Sequence, residues 1–200
     1  MKRLLLILIL TLNFQSWTKA EDIRDFEIEG MSIGDSALDF MSIDEIKETI
    51  KLTANNYSYL KNPKKYREAY IFTSNNFKNY EKVSLIFKHN DKNYKILFLR
   101  GLIDYNENLI ECLSKMNEIA NDIENIIPNN AKETFEAKSP LDKTGNSIYH
   151  FIVYKLFSGD RIRLSCNDWD EKLRKKNNWS EGLSVSLQSK EINLWMGNHK

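Results

Sequence analysis

The chain has 200 residues, 28% of them charged and 42% hydrophobic, with 29 lysines and arginines against 28 acids. That length suits one domain with a real core, and a net charge of +1 gives no global attraction to nucleic acid or an anionic membrane. Glycine and proline are scarce, at 7 and 3, and no segment reads as a linker between separate domains.

Residues 1–20 have the marks of a secretory signal peptide. Lys2 and Arg3 form a positive start, LLLILILTL (4–12) is the apolar run, and Thr18-Lys19-Ala20 places small residues before a cleavage point after Ala20. The run is well short of the ~20 residues a membrane span needs, and no cysteine follows it to carry a lipid. Later segments are too polar to span a bilayer; even IYHFIVYKLF contains His150 and Lys155. The expectation is an exported protein, periplasmic or secreted, built from residues 21–200 and not membrane-spanning once the signal is removed. Losing Lys2, Arg3 and Lys19 leaves 26 bases against 28 acids, a net charge of about −2.

After the signal, DFEIEG (25–30) reads as a short strand. Ser42 followed by Glu45 is a capping box opening a helix through residue 52. Strands are expected over 66–74, 82–89 and 93–104, with a hairpin turn over 89–92. The long helix spans 106–127, where Leu109, Leu113, Met116, Ala120, Ile123 and Ile127 recur at alternating spacings of three and four until Pro128 stops it. A polar connection over 129–146 reads as a mobile loop. Strands resume over 147–157 and 161–168 around a Ser158-Gly159-Asp160 turn. Leu183, Val185 and Leu187 alternate with Ser184, Ser186 and Gln188, which predicts a strand with one wet face. A terminal helix covers 191–196. The whole predicts an α+β domain: a mainly antiparallel sheet of about six strands, in helix-βββ-helix-βββ order, with the helices packed on one face.

The two cysteines are Cys112 and Cys166. In an oxidising compartment a lone pair favours a bridge over a metal site. Cys112 lies on the apolar stripe of the long helix, and Cys166 is in phase with Ile162 and Leu164 on one strand face. Both point to a core, as a helix-to-sheet disulfide requires.

Residues 30–36, GMSIGDS, match G-x-S-x-G and also spell G-D-S. IGDSALDF resembles the first block of the GDSL (SGNH) hydrolases, and Ser165-Cys166-Asn167-Asp168 is similar to their G-x-N-D block. The resemblance implies an esterase-like serine hydrolase using Gly34-Asp35-Ser36. The residues themselves argue otherwise. DFEIEG is not the buried strand that a nucleophile elbow needs before Ser32. A D-x-x-H block is missing, since Met196 stands three before His199, and His150 precedes the N-D pair. A serine without a positioned base is not an activated nucleophile. The alternative is a glycine-bounded turn with Asp35 or Ser36 capping a short helix.

Three histidines, His89, His150 and His199, show no metal-ligand spacing, and no pattern calls for a cofactor. Two segments mix cations with rings. One includes Lys64, Lys65 and Arg67; the other runs from Trp169 through Arg174, Lys175 and Lys176 to Trp179. Such a mixture fits an envelope protein, an anionic glycan or a lipid head group. The sequence therefore favours a non-catalytic binding or interaction protein held by one disulfide.

IEGMSIGDSALDFMSIDEIKE, the long helix with Cys112, RLSCNDW and NNWSEGLSVSL together resemble a family of small exported proteins from marine bacteria. That likeness implies export and a shared fold, with no activity attached. The stretch from Ile28 to about Ile50 also resembles the start of BamE-type outer-membrane assembly lipoproteins and related β-lactamase-inhibitor-like folds. It implies helices ahead of a three-stranded antiparallel sheet, though this chain lacks their lipid-bearing cysteine.

Overall fold

A computed structural model describes residues 22–53, 65–72, 77–105, 108–127, 132–177 and 179–197. Two short 3-10 turns, Ile23–Asp25 and Ala37–Asp39, precede helix α1 (Ile43–Thr53). Strands β1 (Tyr66–Phe72), β2 (Lys82–Lys88) and β3 (Phe98–Asp104) lead to α2 (Leu109–Glu124). Then come β4 (Lys132–Lys138), β5 (Ile148–Lys155), β6 (Arg161–Asp168), α3 (Glu171–Asn177), β7 (Gly182–Gln188) and α4 (Lys190–Gly197). The strands form one sheet in the order β1-β2-β3-β7-β6-β5-β4, and every pairing is antiparallel. Two meanders are thus zipped together by the last strand, and the α+β class holds.

Strand alternation creates two faces. On the first, Ala69, Val83, Leu85, Phe87, Leu99, Leu187, Val185, Leu164, Ile162, Ile152 and Tyr154 make a continuous apolar surface. The N-terminal segment (Ile23, Ile28, Met31, Ile33, Ala37, Met41), α1 through Ile46, and α2 through Cys112, Met116, Ala120 and Ile123 bury it. Thr53 at the end of α1 donates to the Glu68 carbonyl at 2.7 Å, covering part of the β1 edge. The disulfide joins Cys112 of α2 to Cys166 of β6, with Cα atoms 6.0 Å apart, inside the ~7 Å reach of a bridge. Tyr154 reinforces that contact by donating to the Ala120 carbonyl at 3.1 Å.

Several expectations change. Among the described residues there are seven strands, because residues 132–138 form β4 within the stretch read as a mobile loop. KETFEAK is exposed at all but Ala137, so an edge strand held by backbone pairing to β5 left almost no apolar alternation to read. The turn between β4 and β5 is tied around Asp142, whose carboxylate accepts from the amides of Thr144, Asn146 and Ser147 and from the Thr144 and Ser147 hydroxyls. Those bonds, led by the Thr144 hydroxyl, hold its pKa well below the carboxylate range against the opposing effect of burial.

DFEIEG is not a strand. Ile28 and Met31 exchange both backbone bonds around Glu29-Gly30, whose φ values are 53° and 78°, the two-residue turn that favours glycine. Likewise β3 begins at Phe98 rather than residue 93, because Gly34, Asp35 and Ala37 take up the backbone groups of Tyr94 and Ile96. The long helix stops at Glu124 and starts at Leu109. α3 escaped notice because Leu173 is its single apolar residue.

The helices do not all lie on one face. α4 crosses the second face, where Ile192 and Trp195 pack on Tyr66, Ile86 and Phe98. Nor does β7 have a wet face, since Ser184, Ser186 and Gln188 are buried. They sit in the middle of the sheet, and the Gln188 side-chain amide donates to the Ser186 hydroxyl at 2.9 Å.

Candidate functional site

The serine motif resolves into local structure. Ser32 donates its hydroxyl to the Phe26 carbonyl at 2.8 Å, and its amide meets the Asp35 carboxylate at 2.8 Å. Gly34 has φ 102°. Ser36 caps the second 3-10 turn by accepting from the Leu38 amide at 3.2 Å, while its own proton goes to the Asn93 carbonyl at 2.7 Å. Both lone-pair and proton positions of Ser36 are therefore engaged with backbone. His150 lies in β5 with its Nδ1 3.0 Å from a Glu136 carboxylate oxygen, and His199 is outside the described residues.

The two basic-aromatic segments stand at opposite ends of the sheet. Register places Tyr66 beside Lys88 at one end and Asp168 beside Ile148 at the other, with four strand spacings between β1 and β6, roughly 19 Å. Lys64 lies outside the described residues. Lys65 and Lys88 bracket Glu191 of α4 at 3.8 and 2.9 Å, and the Tyr66 hydroxyl donates to it at 2.7 Å. Burial works against the Glu191 anion, yet these partners keep its pKa lowered. Lys65 is thus part of the strap that ties α4 to the sheet. Arg67 reaches the Tyr66 carbonyl at 3.4 Å.

At the other end, Trp169 and Trp179 pack with tilted rings, 4.4 Å between centroids. Arg174 lies 3.9 Å from Glu181, which also accepts from the Trp169 amide at 3.1 Å. Lys175 pairs with Glu171 one turn away, and Lys176 is exposed on the same helix. α3 is short, but Asp170 caps it by accepting from the Leu173 amide at 3.1 Å.

Sequence reasoning missed the contacts that join Trp169 to the sheet. Centroids run Trp169–Tyr149 at 5.4 Å, Tyr149–Phe151 at 5.7 Å and Phe151–Phe135 at 5.1 Å. The Arg163 guanidinium lies over Phe151 at 5.4 Å. These residues share the second sheet face, because Phe135 pairs with Phe151 and Val153 pairs with Arg163. The rings of Tyr149, Phe151, Trp169 and Trp179 are partly exposed, and Phe135 is 45% exposed. The alternation Tyr149, Phe151, Val153 was legible, but the cross-strand neighbours that make it a row were not.

The β1–β3 part of this face carries a buried polar group instead. Glu68 is 1% exposed. One carboxylate oxygen receives the Ser84 hydroxyl at 2.5 Å and Arg100 at 3.2 Å. Arg100 also donates to the Tyr70 hydroxyl at 3.1 Å. Burial raises the Glu68 pKa, opposed by Arg100, Ser84 and Tyr70. A shallow cleft of about 320 Å³ lies elsewhere, lined by Asp22, Arg24, Ile33, Lys95 and Asp160 among others; Asp22 and Arg24 pair across it. Among the described residues, no cluster of His, Cys, Asp and Glu is arranged to hold a metal ion, and no helix is long and apolar enough to cross a membrane. No protein-family model, curated protein or solved structure matches the chain.

Proposed function

We propose that this is an exported, non-catalytic binding protein that holds an envelope protein on the β4–β5–β6 part of its second sheet face. One observation carries the reading: a connected row of partly exposed rings, Phe135, Phe151, Tyr149, Trp169 and Trp179, with Arg163 among them. Aromatic residues and arginine are the types that dominate binding energy at protein interfaces. α4 covers the other half of this face. The exposed cations Arg161, Lys172 and Lys176 border the row and favour an acidic rim on the partner.

Export rests on the leader at residues 1–20, with support from the disulfide, a bond at home in oxidising compartments. The described core residues, beginning with Ile23 at 2% exposed, all lie after a cleavage point at Ala20. The test is capture of envelope components on immobilised mature protein, repeated with Phe151→Ala and Arg163→Ala after checking that each variant keeps its fold. A bound protein lost with both variants supports the reading. Equal capture by all three, or capture that a glycan-degrading enzyme abolishes, refutes it.

A further inference from the structure

The two edges of the sheet are unlike. β1 is largely buried and α1 lies against it, with Thr53 bonded to the Glu68 carbonyl. β4 is exposed at all but Ala137 and, among the described residues, pairs with β5 alone. An open edge offers unpaired backbone donors and acceptors to another strand, and proteins commonly guard one with charged side chains. Three of the charged residues on β4 have ion partners within the chain while staying exposed. Lys132 pairs with Glu124 at 2.5 Å, Glu133 with Lys155 at 2.5 Å and Glu136 with His150 at 3.0 Å. The strand has no proline and contains Thr134 and Phe135 at its centre, residue types that favour pairing.

We infer that β4 is a self-pairing edge, and that two copies of this chain join β4 to β4 about a two-fold axis at Thr134. The register follows from charge. Antiparallel two-fold pairing sets residues opposite one another symmetrically about the central one and keeps each side chain on its own face. Centring on Phe135 puts Lys132 opposite Lys138 of the second copy, and centring on Glu136 puts two glutamates together. Centring on Thr134 puts threonine against threonine and Lys132 against Glu136 twice, the pairs that stabilise a ladder. It also makes the two Phe135 side chains diagonal neighbours, within reach of aromatic rings. The Phe151–Phe135 contact of one copy then continues into that of the other across the axis. One added ladder buries little surface, so the dimer is weak and concentration-dependent. This pairing shares Phe135 with the ring row but does not rest on the proposed partner binding, and either can fail without the other.

Sedimentation equilibrium on the oxidised mature protein, from micromolar to millimolar concentration, is expected to show a reversible monomer–dimer equilibrium. Glu136→Lys weakens it by at least about tenfold, and Lys132→Glu combined with Glu136→Lys restores it. Thr134→Cys forms a covalent dimer on mild oxidation. Phe135→Cys does so poorly, because diagonal neighbours lie near or beyond the ~7 Å limit of a bridge. A monomer at every concentration overturns the inference. So does a dimer indifferent to Glu136→Lys, or one cross-linked better through position 135 than 134.

Discussion

At the scale of single residues, the tightest local designs are caps and carboxylate knots. Replacing Ser36 by alanine removes the acceptor for the Leu38 amide and the donor to the Asn93 carbonyl. The expected loss is about 1 kcal/mol in urea unfolding, the usual value of a cap. A fluorophosphonate probe labels neither the native protein nor Ser36→Ala; labelling that vanishes in the variant would restore the hydrolase reading. Asp142 gives a pH-dependent counterpart. Its folded pKa lies below the unfolded value, so its contribution is present above about pH 4 and fades as the pH falls toward the folded pKa. Asp142→Asn should lower the melting temperature at neutral pH and flatten the decline below pH 4. An unchanged acid limb in the variant would count against this role. The Ser36 cap and the Ser42–Glu45 box were legible because their partners are two or three residues away. Glu29 was not. Its carboxylate gathers the amides of Lys78, Asn79 and Tyr80, and no local pattern announces partners about 50 residues distant.

Among the elements, legibility tracked one-sided burial. α2 was readable because Cys112, Met116, Ala120 and Ile123 recur on one stripe, and β6 because Ile162, Leu164 and Cys166 alternate on one face. That common ground located the disulfide before any geometry was known. β4 and α3 bury too little to leave a period, so they had to come from backbone pairing and from the Asp170 cap. The ring row failed for a related reason: strand-to-strand register, not sequence spacing, brings Phe135 to Phe151. The bridge closes a separation of 54 residues, worth about 4 kcal/mol on the chain-entropy model. The Cys112→Ser, Cys166→Ser double variant should therefore unfold at markedly lower urea, while reductant should shift the native protein equally and leave the variant unmoved. A reductant effect on the variant would point to something other than this bond.

Viewed as a whole molecule, class and hairpin neighbours were accessible from the sequence, while the global order was not. Short links name β1-β2-β3 and β5-β6 as neighbours, but the β4 stretch read as a loop, and nothing in residues 182–188 says that their strand fits between β3 and β6. The buried serines of that strand even pointed away from a central position. The placement of β7 also imposes an order in time. During synthesis the chain emerges from its N-terminus, so β3 and β6 each wait with an unpaired edge until residue 188 has passed. Pairing Phe98 with Gln188 spans 90 positions, a long-range closure of the kind that slows folding. Cys166 precedes β7 in the chain, so in an oxidising environment the disulfide can fix α2 onto the second meander while the sheet is still in halves. Ending the chain at Glu181 would leave two sheet fragments tethered through α2, each ready to aggregate. Completion of this sheet is thus timed by β7, and a chaperone serving the chain has to act until residue 188 has emerged.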